Sequence, residues 1–331
     1  MHSTPRKLDL VFFGAGAFGV PTLARLHQTH TLRAIITQPD RPAGRGGKLT
    51  PTPIAEWAAV NAPSLPILKP ENVNEPATLA QVRGFSADAW IIIAFGQKLS
   101  QPLLADRFAI NLHGSILPRW RGAAPVNWAI LAGDPIAGNS VITLAERMDA
   151  GLVLGTSSRV VTPDLTAGEL HDLLSADGPA LVAQVLADHA AGTLRPQMQD
   201  ETRVTKARKL SRADGWIDFK KTATECRNWV HGLTPWPGVK VSIAHQELKV
   251  LRVHASEFNH AAQPGTLLDP ATGRIACGNS TTLDLVEVQP AGKKSMPWSA
   301  FANGRTLTAD MVVHSAPDAP PPAKPAEKAG A

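Results

Sequence analysis

The 331-residue sequence predicts an α/β protein in two parts: an N-terminal doubly wound, mostly parallel sheet, then a small β-barrel. Three observations predict it. Over the first 190 residues short apolar runs alternate with amphipathic segments of helical period, the pattern of a parallel sheet covered by helices. The first run, residues 8–13, passes through Gly14-Ala-Gly16-Ala-Phe-Gly19 into an apolar-periodic segment, 20–26, so a strand enters a helix through a turn of small residues. From Val239 onward the pattern changes to short β-rich runs (239–243, 248–253, 265–268, 274–277 and 283–288) broken by Gly and Pro turns.

In chain order, residues 32–37 form the second strand, which runs into a long Gly- and Pro-rich segment, 38–51. There Arg41, Arg45 and Lys48 follow Asp40 with no acid among them, which predicts a flexible, phosphate-seeking loop. Residues 53–60 and 75–82 read as helices around a short strand, 66–68, and 88–94 is a strongly apolar central strand ending in Phe95-Gly96-Gln97. A buried strand at 108–112 follows, then a helix at 124–131 and strands at 140–145 and 157–161. Thr166 and Glu169 have the spacing of a capping box, opening a helix with Leu170, Leu173, Leu174, Leu181, Val182, Val185 and Leu186 on its apolar stripe. The expected boundaries are a first domain 1–190, a linker 191–205, a second domain 206–313 and a disordered Pro/Ala-rich tail 314–331.

Charge is unevenly spread. The net charge is +5, yet residues 1–200 hold 16 Lys plus Arg against 16 Asp plus Glu, while 201–313 hold 15 against 10. A neutral first part and a basic second part suggest an anionic partner, nucleic acid before membrane. Cys226 and Cys277 are far apart in sequence and fit neither a disulfide framework nor a zinc pattern, which suits a reducing cytoplasm. No signal peptide or membrane span is visible.

The stretch most able to carry chemistry is 109–125. Alternation puts Asn111 and His113 on one face of a strand end, the side of an open sheet where ligands bind. An amide and an imidazole there offer a donor to a developing oxyanion and a group for proton traffic. Thirty-six residues after His113, Asp149 stands in another Gly-containing turn, where an acid beside the imidazole would orient it. Glu146, in the same region, reads as a surface charge.

These residues also carry a resemblance. Asn111-x-His113-x-Ser115-x-Leu117-Pro118-x-x-Arg121-Gly122, with Asp149-x-Gly151 beyond it, resembles the signature of the folate-dependent formyltransferases. Asp214-Gly-x-Ile-Asp218 and Gly232-Leu-Thr-Pro-Trp-Pro-Gly238 resemble the start of that family's C-terminal domain, so the similarity spans roughly residues 8–313. It implies a Rossmann-like domain followed by an OB-like barrel, 10-formyltetrahydrofolate as formyl donor, no metal, and a cytoplasmic monomer. It implies Asn111, His113 and Asp149 as catalytic residues, and a folate site built from Phe95, Gly96, Gln97, Ser115, Ile116, Leu117 and Pro118. At Phe95 the family usually has Tyr, so the ring is kept without its hydroxyl.

The 38–51 segment is very similar to that of the branch acting on initiator methionyl-tRNA, which implies Arg41, Arg45 and Lys48 as tRNA contacts. Arg203, Lys206, Arg208 and Lys209 would extend the basic track. Two other enzymatic readings stand beside this one. One is a formyltransferase of a small amine, a sugar nucleotide or glycinamide ribonucleotide, against which the 38–51 segment argues. The other is an NAD(P)-dependent oxidoreductase resting on Gly14, Gly16 and Gly19 with Asp40 downstream.

Overall fold

The computed structural model describes residues 6–43 and 46–315. They fall into two compact units. The first comprises the residues up to Val126 with Pro135–Val161 and Glu169–Arg208; the second comprises Asn127–Asp134, Thr162–Gly168 and the residues from Lys209 on.

Along the chain run β1 (Asp9–Gly14), α1 (Val20–Thr29), β2 (Thr31–Ile36), β3 (Arg41–Ala43), β4 (Lys48–Thr50), α2 (Pro53–Asn61), β5 (Ile67–Leu68), α3 (Pro76–Arg83), β6 (Ala89–Ile93), α4 (Gln101–Leu104) and β7 (Ala109–His113). Then come β8 (Arg121–Gly122), α5 (Pro125–Leu131), β9 (Ile136–Thr143), β10 (Val153–Val160), α6 (Ala167–Ala190) and β11 (Lys206–Ala207). The main sheet has the order β10-β9-β7-β6-β1-β2-β5. Strands β7 to β5 are parallel, and β9 and β10 add to the β7 edge antiparallel. Every residue of β6 is buried, as expected of an apolar strand covered on both faces.

From β1 the chain adds β2 and β5 on one side, then returns to add β6 and β7 on the other, so the strand order reverses between β1 and β6. The glycine turn lies at this switch point, and its backbone is already committed. The amides of Ala15 and Gly16 both donate to the carbonyl of Ala94 (3.2 and 3.3 Å), and a Cβ on Gly14 would meet the Phe12 ring at 2.6 Å and Ile93 O at 2.9 Å. Small residues here let the turn lie against the end of β6. Two amides of the turn are thereby withdrawn from any pyrophosphate.

Two local expectations change. The basic 38–51 segment is not an open loop but contains an antiparallel hairpin, Arg41 facing Thr50 and Ala43 facing Lys48. The 191–205 stretch lies within the first unit: Val153 and Gln197 exchange two 2.8 Å backbone bonds, and β11 pairs with β8 just beyond it.

The second unit carries α7 (Ala223–Leu233), β12 (Val239–Ile243), β13 (Gln246–Glu257), β14 (Leu267–Asp269), β15 (Arg274–Ala276), β16 (Thr281–Pro290), β17 (Met296–Pro297) and α8 (Trp298–Ala302). Its antiparallel sheet has the order β12-β13-β16-β15-β14, with β17 also on β16. One segment bridges the two edges: Ser242 of β12 pairs with His314, and Thr266, next to β14, pairs with Val312. These pairings place His314 and Ser315, expected in the disordered tail, with the second unit; the remainder of the tail, 316–331, lies outside the described residues. A capping box between Thr222 and Glu225 starts α7, whose buried face includes Ala223, Cys226, Val230 and Leu233. The neighbouring Cys277 thiol and burial push the Cys226 thiol far up, so Cys226 stays a protonated core thiol.

Candidate active site

Strand β7 delivers the first two residues. Asn111 faces Ile92 and Ile142 in register, and His113 faces Ser140, so the amide and the imidazole leave the same face at the strand's carboxyl end. His113 is 7% exposed. Its Nε2 lies 2.9 Å from the carbonyl of Trp120, which can only accept, so the proton sits on Nε2. Nδ1 then faces Asp149, whose Oδ2 is 3.8 Å away.

Asp149 follows β9 with a φ of 54°, in the left-handed region that Asp enters more readily than most residues. Its Oδ2 also accepts the backbone N–H of Gly122 at 2.8 Å. The structure therefore brings Asn111, His113 and Asp149 to one place, with the imidazole anchored through one nitrogen and the other turned to a carboxylate.

The turn after β7 is a knot of short bonds. Ser115 Oγ donates to Arg119 O at 2.6 Å; Ser140 Oγ donates to Ser115 O at 2.7 Å and accepts Leu117 N at 3.0 Å. Ser115 and Leu117 are buried in this turn, while Ile116 and Pro118 stay partly exposed.

The predicted folate loop divides in the same way. The Phe95 ring points into the core, packed edge-on against Phe13 at 5.6 Å. The Gln97 amide is occupied in tying loops together, donating to Pro70 O and accepting Val73 N. Gly96 keeps a φ of 85° beside Gln38. Past them the loop borders a cavity of about 790 Å³, lined by Asn74, Lys98, Leu99, Ser100, Leu104 and Glu146 among others. Glu146 is thus exposed, as expected, but exposed into this cavity, three residues before Asp149. The lining is mixed, with Leu99, Leu104 and Leu144 beside Asn74, Lys98, Ser100 and Glu146, and such a mix suits an amphipathic heterocycle.

Of the basic residues, Arg41 forms a 2.6 Å ion pair with Glu71 on the surface, Lys48 is exposed, and Arg45 lies outside the described residues. Arg203, Lys206, Arg208 and Lys209 are all exposed; the first three belong to the first unit and Lys209 to the second. Among the described residues no group of three or more His, Cys, Asp or Glu side chains could hold a metal ion, and no helix is long and apolar enough to cross a membrane.

Sequence reasoning missed the supports of the pair: Trp120, Gly122, Gln199 and Thr205. Arg121 and Gly122 stood in the motif without a role. Gln199 and Thr205 gave no sequence signal, since their bonds toward the pair run to main-chain groups.

Comparison with known proteins identifies the family. Residues 8–186 match the formyl transferase family and 209–306 match the formyl transferase C-terminal domain. Among curated proteins, the chain is 38% identical over 306 residues to the methionyl-tRNA formyltransferase of Acidobacterium capsulatum, covering 91% of this chain and 97% of that one. It is 38% identical over 311 residues to that of Rhodopseudomonas palustris, covering 92% and 99%. Among solved structures, the sugar 3N-formyl transferase WlaRD, in the presence of dTDP and 5-N-formyl-THF, superposes with a TM-score of 0.65 at 14% identity, over 87% of this chain and all of that one. HypX from Aquifex aeolicus, in complex with tetrahydrofolic acid, superposes with a TM-score of 0.60 at 14% identity; 90% of this chain spans 47% of HypX.

Proposed function

The chain belongs to the formyl transferase family, and on that footing we propose how it works: it transfers the formyl group of 10-formyltetrahydrofolate to the amino group of methionine on initiator tRNA. Near full-length similarity to curated methionyl-tRNA formyltransferases supports the substrate. The observation that carries the chemistry is the anchored imidazole, with Nε2 tethered to Trp120 O and Nδ1 facing Asp149.

The residues present fit the folate: the cavity beside the 144–149 loop has the volume of a small-molecule site, and Glu146 offers an acceptor to amino groups of a heterocycle. Ile116 and Pro118 are partly exposed in the turn that follows His113, where a bound folate could touch them. When bound, the folate would supply the formyl group, which passes to the amine as the carbon–nitrogen bond to the folate breaks. The amine loses a proton, the folate nitrogen gains one, and negative charge would gather on the formyl oxygen on the way. Asn111, through its amide N–H groups, and His113, as the protonated ring through Nδ1, donate to that oxygen. Asp149 balances the charge on the ring and takes up the proton lost by the amine, directly or through a water. Arg41, Arg45, Lys48, Arg203, Lys206, Arg208 and Lys209 attract the tRNA backbone. The enzyme acts as a cytoplasmic monomer, a reading that sedimentation of the purified protein tests.

The decisive experiment is formylation of Met-charged initiator tRNA with 10-formyltetrahydrofolate, comparing wild type with His113→Ala. Removing one such donor lowers kcat by about 100- to 1000-fold. A folded wild type that leaves methionyl-tRNA untouched but formylates an amino-sugar nucleotide would overturn the substrate; full activity in His113→Ala would overturn the mechanism.

A further inference from the structure

One short stretch, residues 199–207, holds both members of the His113–Asp149 pair, and we infer that Gln199 and Thr205 are positioning residues for the transfer. The inference rests on the functional reading above.

The first line of contacts runs to Asp149. Gln199 Nε2 donates to the carbonyls of Asp149 (2.7 Å) and Gly151 (2.8 Å), while its Oε1 accepts Arg121 Nε at 2.9 Å. Arg121 is 8% exposed, and its Nη2 grips Glu201 at 2.9 Å; Glu201 also takes Arg147, from the loop that carries Asp149, at 3.1 Å. A non-glycine residue at a φ of 54° persists only where its surroundings over-determine it. At Asp149 the side-chain bond from Gly122 and the main-chain bond from Gln199 are those constraints.

The second line runs to His113. Thr205 Oγ1 accepts the N–H of Trp120 at 2.9 Å, and its carbonyl accepts the N–H of Arg121 at 2.9 Å. Trp120 also has a positive φ, 61°, and it is the carbonyl of Trp120 that takes the proton of His113 Nε2. Thr205 therefore fixes the acceptor that fixes the ring. Between the two lines, Gly122 sits so close to β11 that a Cβ would meet Ala207 O at 2.4 Å.

The same stretch displays Arg203 and Lys206 to solvent. A tRNA backbone bound along it would bear on the residues that align the pair.

The test uses isosteric variants. Gln199→Glu keeps an acceptor for Arg121 but turns a carboxylate oxygen to two carbonyls; Thr205→Val keeps the shape and loses the hydroxyl acceptor; Thr205→Ser restores it. Steady-state kinetics on methionyl-tRNA are paired with thermal melting and with the ¹⁵N resonances of the His113 ring, assigned by their loss in His113→Ala. Displacing reacting groups by about 1 Å from a remote site costs about 100-fold, so kcat falls roughly 10- to 100-fold in both isosteric variants. Both KM values stay within about twofold, because transition-state alignment is what is lost. Thr205→Ser recovers kcat, and the His113 resonances move in Thr205→Val but not in Thr205→Ser.

Unchanged kcat in folded Gln199→Glu and Thr205→Val, or His113 resonances unmoved by Thr205→Val, would overturn the inference. If Thr205→Val does not fold, Gln199→Glu decides by the same kinetic criterion. A folded wild type inactive on methionyl-tRNA overturns the functional reading instead, and the ring resonances still decide this one.

Discussion

Three problems of backbone geometry meet around the imidazole and its carboxylate: Trp120 at a φ of 61°, Gly122 at 129° and Asp149 at 54°. Each is a place where residue type is constrained by conformation as well as by chemistry. Asn tolerates the left-handed region as well as Asp, and its side-chain oxygen still accepts the Gly122 N–H. Asp149→Asn therefore separates charge from architecture: the melting temperature stays near wild type while kcat falls by about 100-fold or more. Retained activity in that variant would remove Asp149 from the proton path. Gly122→Ala does the opposite. Its Cβ meets a backbone oxygen that has no rotamer to retreat into, at a φ an alanine resists, so urea denaturation reads a loss of about 1–3 kcal/mol. Asn111, His113 and Asp149 were legible in the sequence because their chemistry is in their side chains and a family pattern spaces them. Trp120, Gln199 and Thr205 were not. They contribute or engage main-chain groups that every residue possesses, across separations of up to 92 residues between Thr205 and His113. Phe95 was misleading for a related reason: an aromatic ring serves a core as well as a ligand, and here it serves the core.

Periodicity placed the sheet strands and long helices of both units to within a few residues, because burial on one or both faces writes itself into the apolar pattern. The pieces it missed are short and two-sided, such as β8 and β11, two residues each, whose pairing is set by neighbours rather than by pattern. The glycine turn shows the limit most clearly. Its sequence suits a pyrophosphate equally well, and only the Ala94 carbonyl it faces says otherwise. Helix α7 supplies a testable consequence at this scale. Its His231 is 1% exposed; Nδ1 lies 3.1 Å from Pro163 O and Nε2 accepts Val253 N at 3.2 Å. The neutral Nδ1–H tautomer satisfies both partners, whereas protonating Nε2 sets one N–H against another. Burial, with no acceptor left for a second proton, lowers this imidazole from 6.5 to about 4. A group whose folded pKa is depressed gives its full stability above pH 6.5, and loses it as pH falls from 6.5 through 4. The expected loss across that window is on the order of 3 kcal/mol. Thermal melts at pH 7, 5.5 and 4 check it: wild type should fall steeply, and His231→Gln, which keeps a donor and an acceptor without the titration, should start lower and fall less. Parallel slopes would place the acid sensitivity elsewhere.

At the scale of the whole chain the argument is electrostatic. The excess charge lies in residues 201–313, and the surface cations assigned to tRNA include residues of both units. Counterion release makes such binding salt-dependent, with the slope of log affinity against log salt counting the phosphates contacted. Lys206→Ala should raise the KM for methionyl-tRNA, leave the KM for folate and kcat in place, and reduce that slope by about 0.7–0.9. Arg41 allows a stricter test, because its present partner is an acid. The Arg41–Glu71 pair is short but well exposed, and such pairs hold little against water or a competing anion. A phosphate therefore displaces Glu71 at small cost, and Glu71 acts as a competitor for the site. Arg41→Ala should weaken tRNA binding and flatten the salt slope. Glu71→Gln, which leaves Arg41 with a neutral neighbour, should lower the KM for methionyl-tRNA at low salt, the effect fading as ions screen both contacts. Opposite signs from the two substitutions identify Arg41 as a phosphate contact. If neither changes the KM, the hairpin's cation is a surface ion pair and nothing more, and the tRNA is held by the basic residues beyond Arg203.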